Sequence, residues 1–178
     1  MDWILWAIGA AAAVLLGAGL VSWQKRRRQP MSRVRRIAAD TLDDVVIPDG
    51  LGAEIHVPHL YLSGAGIFVA EFRELNGTLF AGERLERWTV MEDTRRYSIS
   101  NPLEALERRV QAVRLLAPAV PVHGRIVLIG EVEYGSGQPD GVVALPAFLK
   151  EMSAGGGPTA TAVGAFHGPW ERIRAATV

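Results

Sequence analysis

The sequence predicts an α/β fold, a mixed sheet with helices packed against it, set behind an N-terminal helix of membrane-spanning length. Three observations predict it. An uncharged apolar run occupies Trp3 to Trp23. Beyond it, short β-branched and aromatic runs broken by glycine turns alternate with helical stretches. Apolar residues then recur at spacings of three and four from Leu103 to Leu116, the period of a helix with one buried face.

The 21 residues from Trp3 to Trp23 carry no charge. At about 1.5 Å per residue they reach roughly 31 Å as a helix, the thickness of a bilayer's hydrocarbon core. Trp3, Trp6 and Trp23 stand near the two ends, where indole rings favour the headgroup layer, and Lys25, Arg26, Arg27 and Arg28 follow at once. A cleaved secretory signal would need a basic start, a shorter apolar stretch and a small-residue cleavage site, whereas this start carries Asp2 and no cation. The reading is an uncleaved single-pass anchor, residues 1–24, with its N-terminus outside. The positive-inside tendency places the rest in the cytoplasm, at the inner membrane of the cell. The absence of cysteine agrees with a reducing compartment.

Net charge is zero, but the charges are segregated. Seven cations from Lys25 to Arg36 have no acid among them, which leaves twelve cations against eighteen acids from residue 37 onward. A basic segment beside a membrane is drawn to anionic lipid headgroups by about 1 kcal/mol per residue. Residues 25–42 are therefore read as a membrane-surface segment with a short helix, capped by Ser32 and running from Arg33 to Ala39, after Pro30.

Strands follow. Asp43–Ile47 ends at the turn Pro48-Asp49-Gly50, and Glu54–Leu62 and Ile67–Phe72 form a hairpin about Ser63-Gly64-Ala65-Gly66. Strands at Thr78–Ala81 and Arg87–Met91 would extend the same sheet, with Gly77 and Gly82 placed for tight turns. The long helix starts at Asn101, with Asn101 as N-cap, Pro102 in the first position and Glu104 as the acid of a capping box. Leu103, Leu106, Val110, Val113 and Leu116 make its core face. Arg125–Glu131 is a buried strand, and a strand at Gly141–Leu145 and a helix from Pro146 to Met152 complete the domain. Residues 154–178 read as a Gly/Pro/Thr linker and a short terminal helix starting at Pro169.

The most informative stretch runs Val57-Pro58-His59-Leu60, Gly66 to Val69, Glu71-Phe72-Arg73, then Gly77, with Asn101-Pro102-Leu103 and Val122 to Leu128 downstream. In spacing and apolar frame it resembles the nuclease-related domain, NERD, a family similar to the PD-(D/E)xK restriction-endonuclease-like nucleases. The resemblance covers residues 43–153 and implies a restriction-endonuclease-like mixed sheet flanked by helices. In an active relative, an Asp and a Glu on adjacent strands would hold Mg²⁺ or Mn²⁺ and a Lys would polarise the attacking water. Here the Asp position is Pro58, the Lys position is Arg73, a Gln position in the long helix is Ala105, and Glu71 alone matches. Arg73 keeps the charge but cannot give up its proton as a buried ammonium can.

Two functions follow from this. One is a catalytically degenerate domain that binds a protein or nucleic acid at the cytoplasmic membrane face, needing no cofactor. A protein is the favoured partner, because an acidic domain suits phosphate backbones only if Arg73, Arg95, Arg96, Arg108 and Arg109 gather on one face. The alternative is an active divalent-metal nuclease in which Glu54 or His56, on the same side of a regular strand as Pro58, joins Glu71 and Arg73, with Glu71 and Glu54 as metal ligands. A chiefly structural membrane-surface protein is a third reading. His56 and His59 fall on opposite strand faces, and His123 and His167 read as surface or capping histidines. Glu131 and Glu133 read as a solvated strand end.

The anchor has a direct check. The chain expressed in bacteria should pellet with membranes and resist carbonate extraction, and a variant lacking residues 1–24 should lose that resistance; extraction of the intact chain by carbonate would refute the span.

Overall fold

The computed structural model describes residues 31–177. The expected membrane span, and Lys25 to Arg28 of the basic segment, lie outside them. Among the described residues no helix is long and apolar enough to cross a membrane. The first helix among the described residues, α1, covers residues 31–37.

From Arg35 onward the chain is one compact unit. Its principal sheet has five strands, β1 (Asp40–Pro48), β2 (Glu54–Ser63), β3 (Gly66–Glu74), β7 (Val122–Ile129) and β9 (Val142–Ala144), in the order β1-β2-β3-β7-β9. The first three form an antiparallel meander, while β3, β7 and β9 run parallel. Ser63 pairs with Gly66, so Gly64 and Ala65 form a two-residue turn. The Ser63 hydroxyl is buried there, donating to the Gly66 carbonyl at 3.3 Å and accepting from the Ala65 N–H at 3.2 Å.

A second sheet corrects the expectation that the next strands extend the first. β4 (Gly77–Phe80), β5 (Arg87–Glu92), β6 (Arg95–Ser100) and β8 (Val132–Tyr134) form their own sheet in the order β6-β5-β4-β8. The parallel strand β7 occupies the other side of β3, so β4 has no edge there to join. Gly77 takes the turn conformation expected of it, with φ 90°, and Gly82 opens the expected turn, its carbonyl accepting the Leu85 N–H at 3.3 Å and the Trp88 indole N–H at 3.0 Å. Sequence patterning misses β6 because its residues are mostly exposed and polar, and it pairs only with β5.

Helix α2 (Leu103–Leu116) connects the two sheets' last and next strands, β6 and β7, and buries Leu106, Val110 and Val113 as the spacing requires. Its start differs in detail from the expected capping box. The Asn101 side chain accepts the Leu103 N–H at 2.9 Å, but the Asn101 N–H donates to the Glu86 carbonyl at 2.9 Å instead of a Glu104 carboxylate. The Asn101 amide also donates to the Leu85 carbonyl at 2.8 Å, tying the helix to the loop before β5. α2 lies hard against the principal sheet: a Cβ at Gly124 of β7 would sit 2.7 Å from Val110 Cγ2 and 3.1 Å from Leu106 Cγ.

An aromatic layer fills the opposite face. Tyr61, Phe68 and Phe72 pack with Phe148 of α3 (Leu145–Ser153), ring centroids 5.7 to 6.3 Å apart around Phe148. Of the two roles expected of His123, surface or capping, the structure shows no surface position: it is half-buried in this layer, with its ring centroid 4.9 Å from Phe68 and its Nε2 3.2 Å from the Ala65 carbonyl in the β2–β3 turn. Burial and the Asp43 charge push the Tyr61 hydroxyl above the usual tyrosine range. His167 is exposed, and its ring nitrogen lies 3.5 Å from Glu171. Glu131 and Glu133 are exposed at the start of β8, as read.

The C-terminal helix is longer than expected. α4 spans Thr161–Ala175 with Pro169 inside it, not at its start. Val163, Phe166, Trp170 and Ile173 make an apolar stripe, and Trp170 and Ile173 are fully buried in the domain core. That burial outweighs the backbone hydrogen bond which proline cannot donate. The Trp170 indole donates to Asp40 at 3.0 Å, and Arg174 pairs with the same carboxylate. Burial alone would raise the Asp40 carboxyl; the Thr41 N–H, the Trp170 indole and the Arg174 guanidinium outweigh it and hold it below the ordinary range.

Trp170→Ala should therefore cost about 3–5 kcal/mol in urea unfolding, the range for emptying a large aromatic site in a core. A loss under about 0.5 kcal/mol, usual for surface positions, would show that α4 is not part of the cooperative unit.

Candidate functional site

The residues of interest gather where β2 and β3 part. Their ladder runs from Ser63↔Gly66 to His59↔Ala70 and stops. The next residue of β2 is Pro58, which has no N–H to donate. On the other side of β2 the register passes from Asp43↔His59 to Val45↔Val57, and Asp44, opposite Pro58, has φ 52°. Both Val57 and Leu60 lie in the same core cluster. Regular alternation would put residues three apart on opposite faces, so the strand changes phase at Pro58.

That phase change decides the fate of the expected site. His56 does not present its ring to Glu71; its Nε2 lies 3.3 Å from Asp44, and the His59 Nδ1 lies 2.7 Å from Asp43. The two histidines thus go to different aspartates, and Asp43 is also paired with Arg35. Glu54 is exposed at the start of β2.

Arg109 of α2 reaches into the gap between the strands. Its Nε donates to the His56 carbonyl at 2.9 Å and its Nη1 to the Glu71 Oε2 at 2.5 Å. The other oxygen of Glu71 pairs with Arg73, two residues along the same strand face. The Glu71 side chain is only 13% exposed and that of Arg109 17%, while Arg73 is 44% exposed. The inner ion pair is therefore shielded from water and the outer one is not. Each carboxylate oxygen of Glu71 faces a guanidinium.

This arrangement does not fit a divalent cation. Mg²⁺ asks for carboxylate oxygens with open lone pairs and room for its waters. Both Glu71 oxygens here are paired with arginine, and the neighbouring strand offers Pro58 at the position where the family resemblance leads one to expect a second carboxylate. Among the described residues no three His, Asp or Glu side chains converge as a metal-binding set.

Of the other cations that a nucleic-acid surface would need, Arg108 comes beside this place and Arg95 and Arg96 do not. Arg95 and Arg96 stand on β6, at the edge of the second sheet. Arg108 lines a groove of about 580 Å³ between the β1–β2 loop and α2, bordered also by Glu54, His56, Ala105 and Arg109. A larger hollow of about 1100 Å³ opens between the 83–86 loop, α2 and the first half of β7, and none of Glu54, His56, Glu71 or Arg73 borders it.

Arg109 is the residue that sequence reasoning left among the surface cations. Its signal lay in the helix: Ala105, Arg109 and Ala112 form a row beside the buried stripe, so a charge in that row needs a partner inside.

Arg109→Met should destabilise the protein by about 1–3 kcal/mol, the cost of leaving a shielded carboxylate short of a donor. The double variant Glu71→Gln/Arg109→Met should recover more than half of that loss in urea unfolding. Strict additivity of the two single losses would show that the pair is not coupled.

The family model of the nuclease-related domain, NERD, matches residues 31–129, more than half of the chain. No curated protein and no solved structure gives a match. The matched span runs from α1 through β7 and includes Pro58, Glu71, Arg73 and Arg109. The chain belongs to the NERD family.

Proposed function

We propose that this member of the nuclease-related domain family is a non-catalytic binding module, held by its N-terminal apolar segment at the cytoplasmic face of the inner membrane. The observation that carries the reading is the double arginine clamp on Glu71. A guanidinium supplies the counter-charge that the carboxylate needs, yet it has no exchangeable coordination position and stays protonated. It can neither activate a water nor stabilise an attacking hydroxide by coordination. The lost carboxylate at Pro58 points the same way.

The anchor rests on the uncharged segment Trp3–Trp23 and the cations behind it. The basic segment Lys25 to Arg36 would lie against anionic headgroups. A protein is the partner we favour, since from residue 37 onward acids exceed bases by six. Polyphosphate backbones are bound chiefly by unpaired cations, and Arg73 and Arg109 are already committed to Glu71.

The test is isothermal titration of Mg²⁺ and Mn²⁺ into the full-length chain, together with cleavage assays on plasmid and single-stranded DNA. We expect neither heat of binding nor cutting, in the wild type or in Glu71→Ala. Metal binding and cleavage that both disappear in Glu71→Ala would overturn the reading in favour of a metal-dependent nuclease.

A further inference from the structure

The groove beside the clamp has a character of its own. Leu51, Ile55 and Ala105 give it apolar lining, and the stems of Arg108 and Arg109 add to it. Toward the loop end, two large apolar side chains stand in solvent: Leu51 is 92% exposed and Leu115 63%. Leu51 lines the groove, and Leu115, one turn of α2 beyond the lining residue Gln111, reaches the same loop: a Cβ at Gly50 would lie 2.3 Å from Leu115 Cδ1. The loop is held in shape by Asp49, whose carboxylate accepts the N–H groups of Leu51 and Ala53 at 2.7 and 3.0 Å. Such a pair of exposed leucines on a fixed loop and a rigid helix is preorganised apolar surface.

The rim is acidic. Glu54, Glu104 and Glu107 share the lining with Arg108, while Arg109 is paired with Glu71. Glu107 is partly engaged by Gln111, whose amide donates to it at 2.5 Å. Glu54 and Glu104 are exposed and have no ion-pair partner among the described residues. On α2, Glu104, Arg108, Gln111 and Leu115 follow one another at spacings of four, three and four, so the acidic end and the leucine end lie along one stripe of the helix. From Glu104 to Leu115 that stripe is about 16 Å long, the reach of about five residues of extended chain.

We propose that this groove docks a short basic segment of a partner protein, seating one apolar side chain on Leu51 and Leu115 and pairing its Lys or Arg side chains with Glu54 and Glu104. The proposal rests on the binding-module reading and gives its partner a chemistry. Charge complementarity selects the occupant: a rim with unpaired carboxylates repels phosphate backbones and attracts cations. The leucine pair at the other end adds an apolar requirement that a simple polycation does not meet.

The experiment is fluorescence anisotropy with the full-length chain in nanodiscs of zwitterionic lipid, empty discs serving as the blank. The probes are a labelled dodecapeptide alternating lysine and leucine, a lysine and serine version, a glutamate and leucine version, and a single-stranded DNA oligonucleotide. The lysine and leucine peptide should bind above the blank, and the other three should bind at least about tenfold more weakly. Glu54→Lys/Glu104→Lys and, separately, Leu51→Ser/Leu115→Ser should each weaken it about tenfold. Glu131→Lys/Glu133→Lys, the same charge change at exposed acids of β8, should leave it within about twofold. All these positions are exposed, and unchanged melting temperatures would confirm that the variants fold. Absence of peptide binding, binding that ignores both groove variants, or preference for the oligonucleotide would each overturn the proposal. If the groove fails while the metal titration stays silent, the non-catalytic reading stands with its partner elsewhere; metal uptake with DNA cutting would remove that reading itself.

Discussion

The rest of the structure depends on how closely α2 lies on the principal sheet. Gly124 on β7 leaves no Cβ in the way, and Leu106 and Val110 come down onto the bare strand. A side chain there would push the helix outward, since a new Cβ would overlap Val110 Cγ2 at 2.7 Å. With the helix at this distance, its flank carries Arg109 into the space between β2 and β3. The helix can therefore supply the charge that the sheet lacks.

The gap that Arg109 fills is itself a consequence of one residue. Pro58 cannot donate to a ladder, so pairing with β3 ends at His59 and the strand shifts phase. The shift moves Val57 into the core and turns the His56 ring toward Asp44, leaving the His56 carbonyl to accept from Arg109. The proline thus removes a carboxylate from the position where the family resemblance expects one and opens a seat for a guanidinium. Glu71 is paired with two arginines, Arg73 beside it on β3 and Arg109 from α2. A charge this well shielded is strongly destabilising when unpaired, which makes the clamp part of the fold as much as part of the site.

Several elements were legible from local pattern. The β2–β3 hairpin, the stripe of α2 and the buried strand β7 all appear near their expected positions, because period, turn residues and β-branching are written locally. The two-sheet division was not legible: β4 and β5 look like any further strands, and only the parallel pairing of β7 with β3 closes that edge. β6 escaped because an exposed edge strand shows no apolar alternation. Pro169 misled for a related reason, since a proline inside a helix is locally unfavourable and is tolerated here because Trp170 and Ile173 bury on either side of the next turn.

The sequence by itself determined the apolar segment and its flanking charges, the family frame from β2 through β7, and the presence of Pro58 and Arg73 where the family resemblance leads one to expect an Asp and a Lys. These are properties of residues and their spacing along the chain. Only the tertiary structure decided which groups meet: that Glu71 faces Arg109 rather than Glu54, that His56 turns to Asp44, and that Leu115 of α2 packs against Gly50, the residue before Leu51. Arg109 and Glu71 are 38 residues apart in sequence. Their meeting is set by the packing distance of a helix on a glycine and by a strand that slips phase at a proline, and neither distance nor phase is encoded at the residues that finally touch.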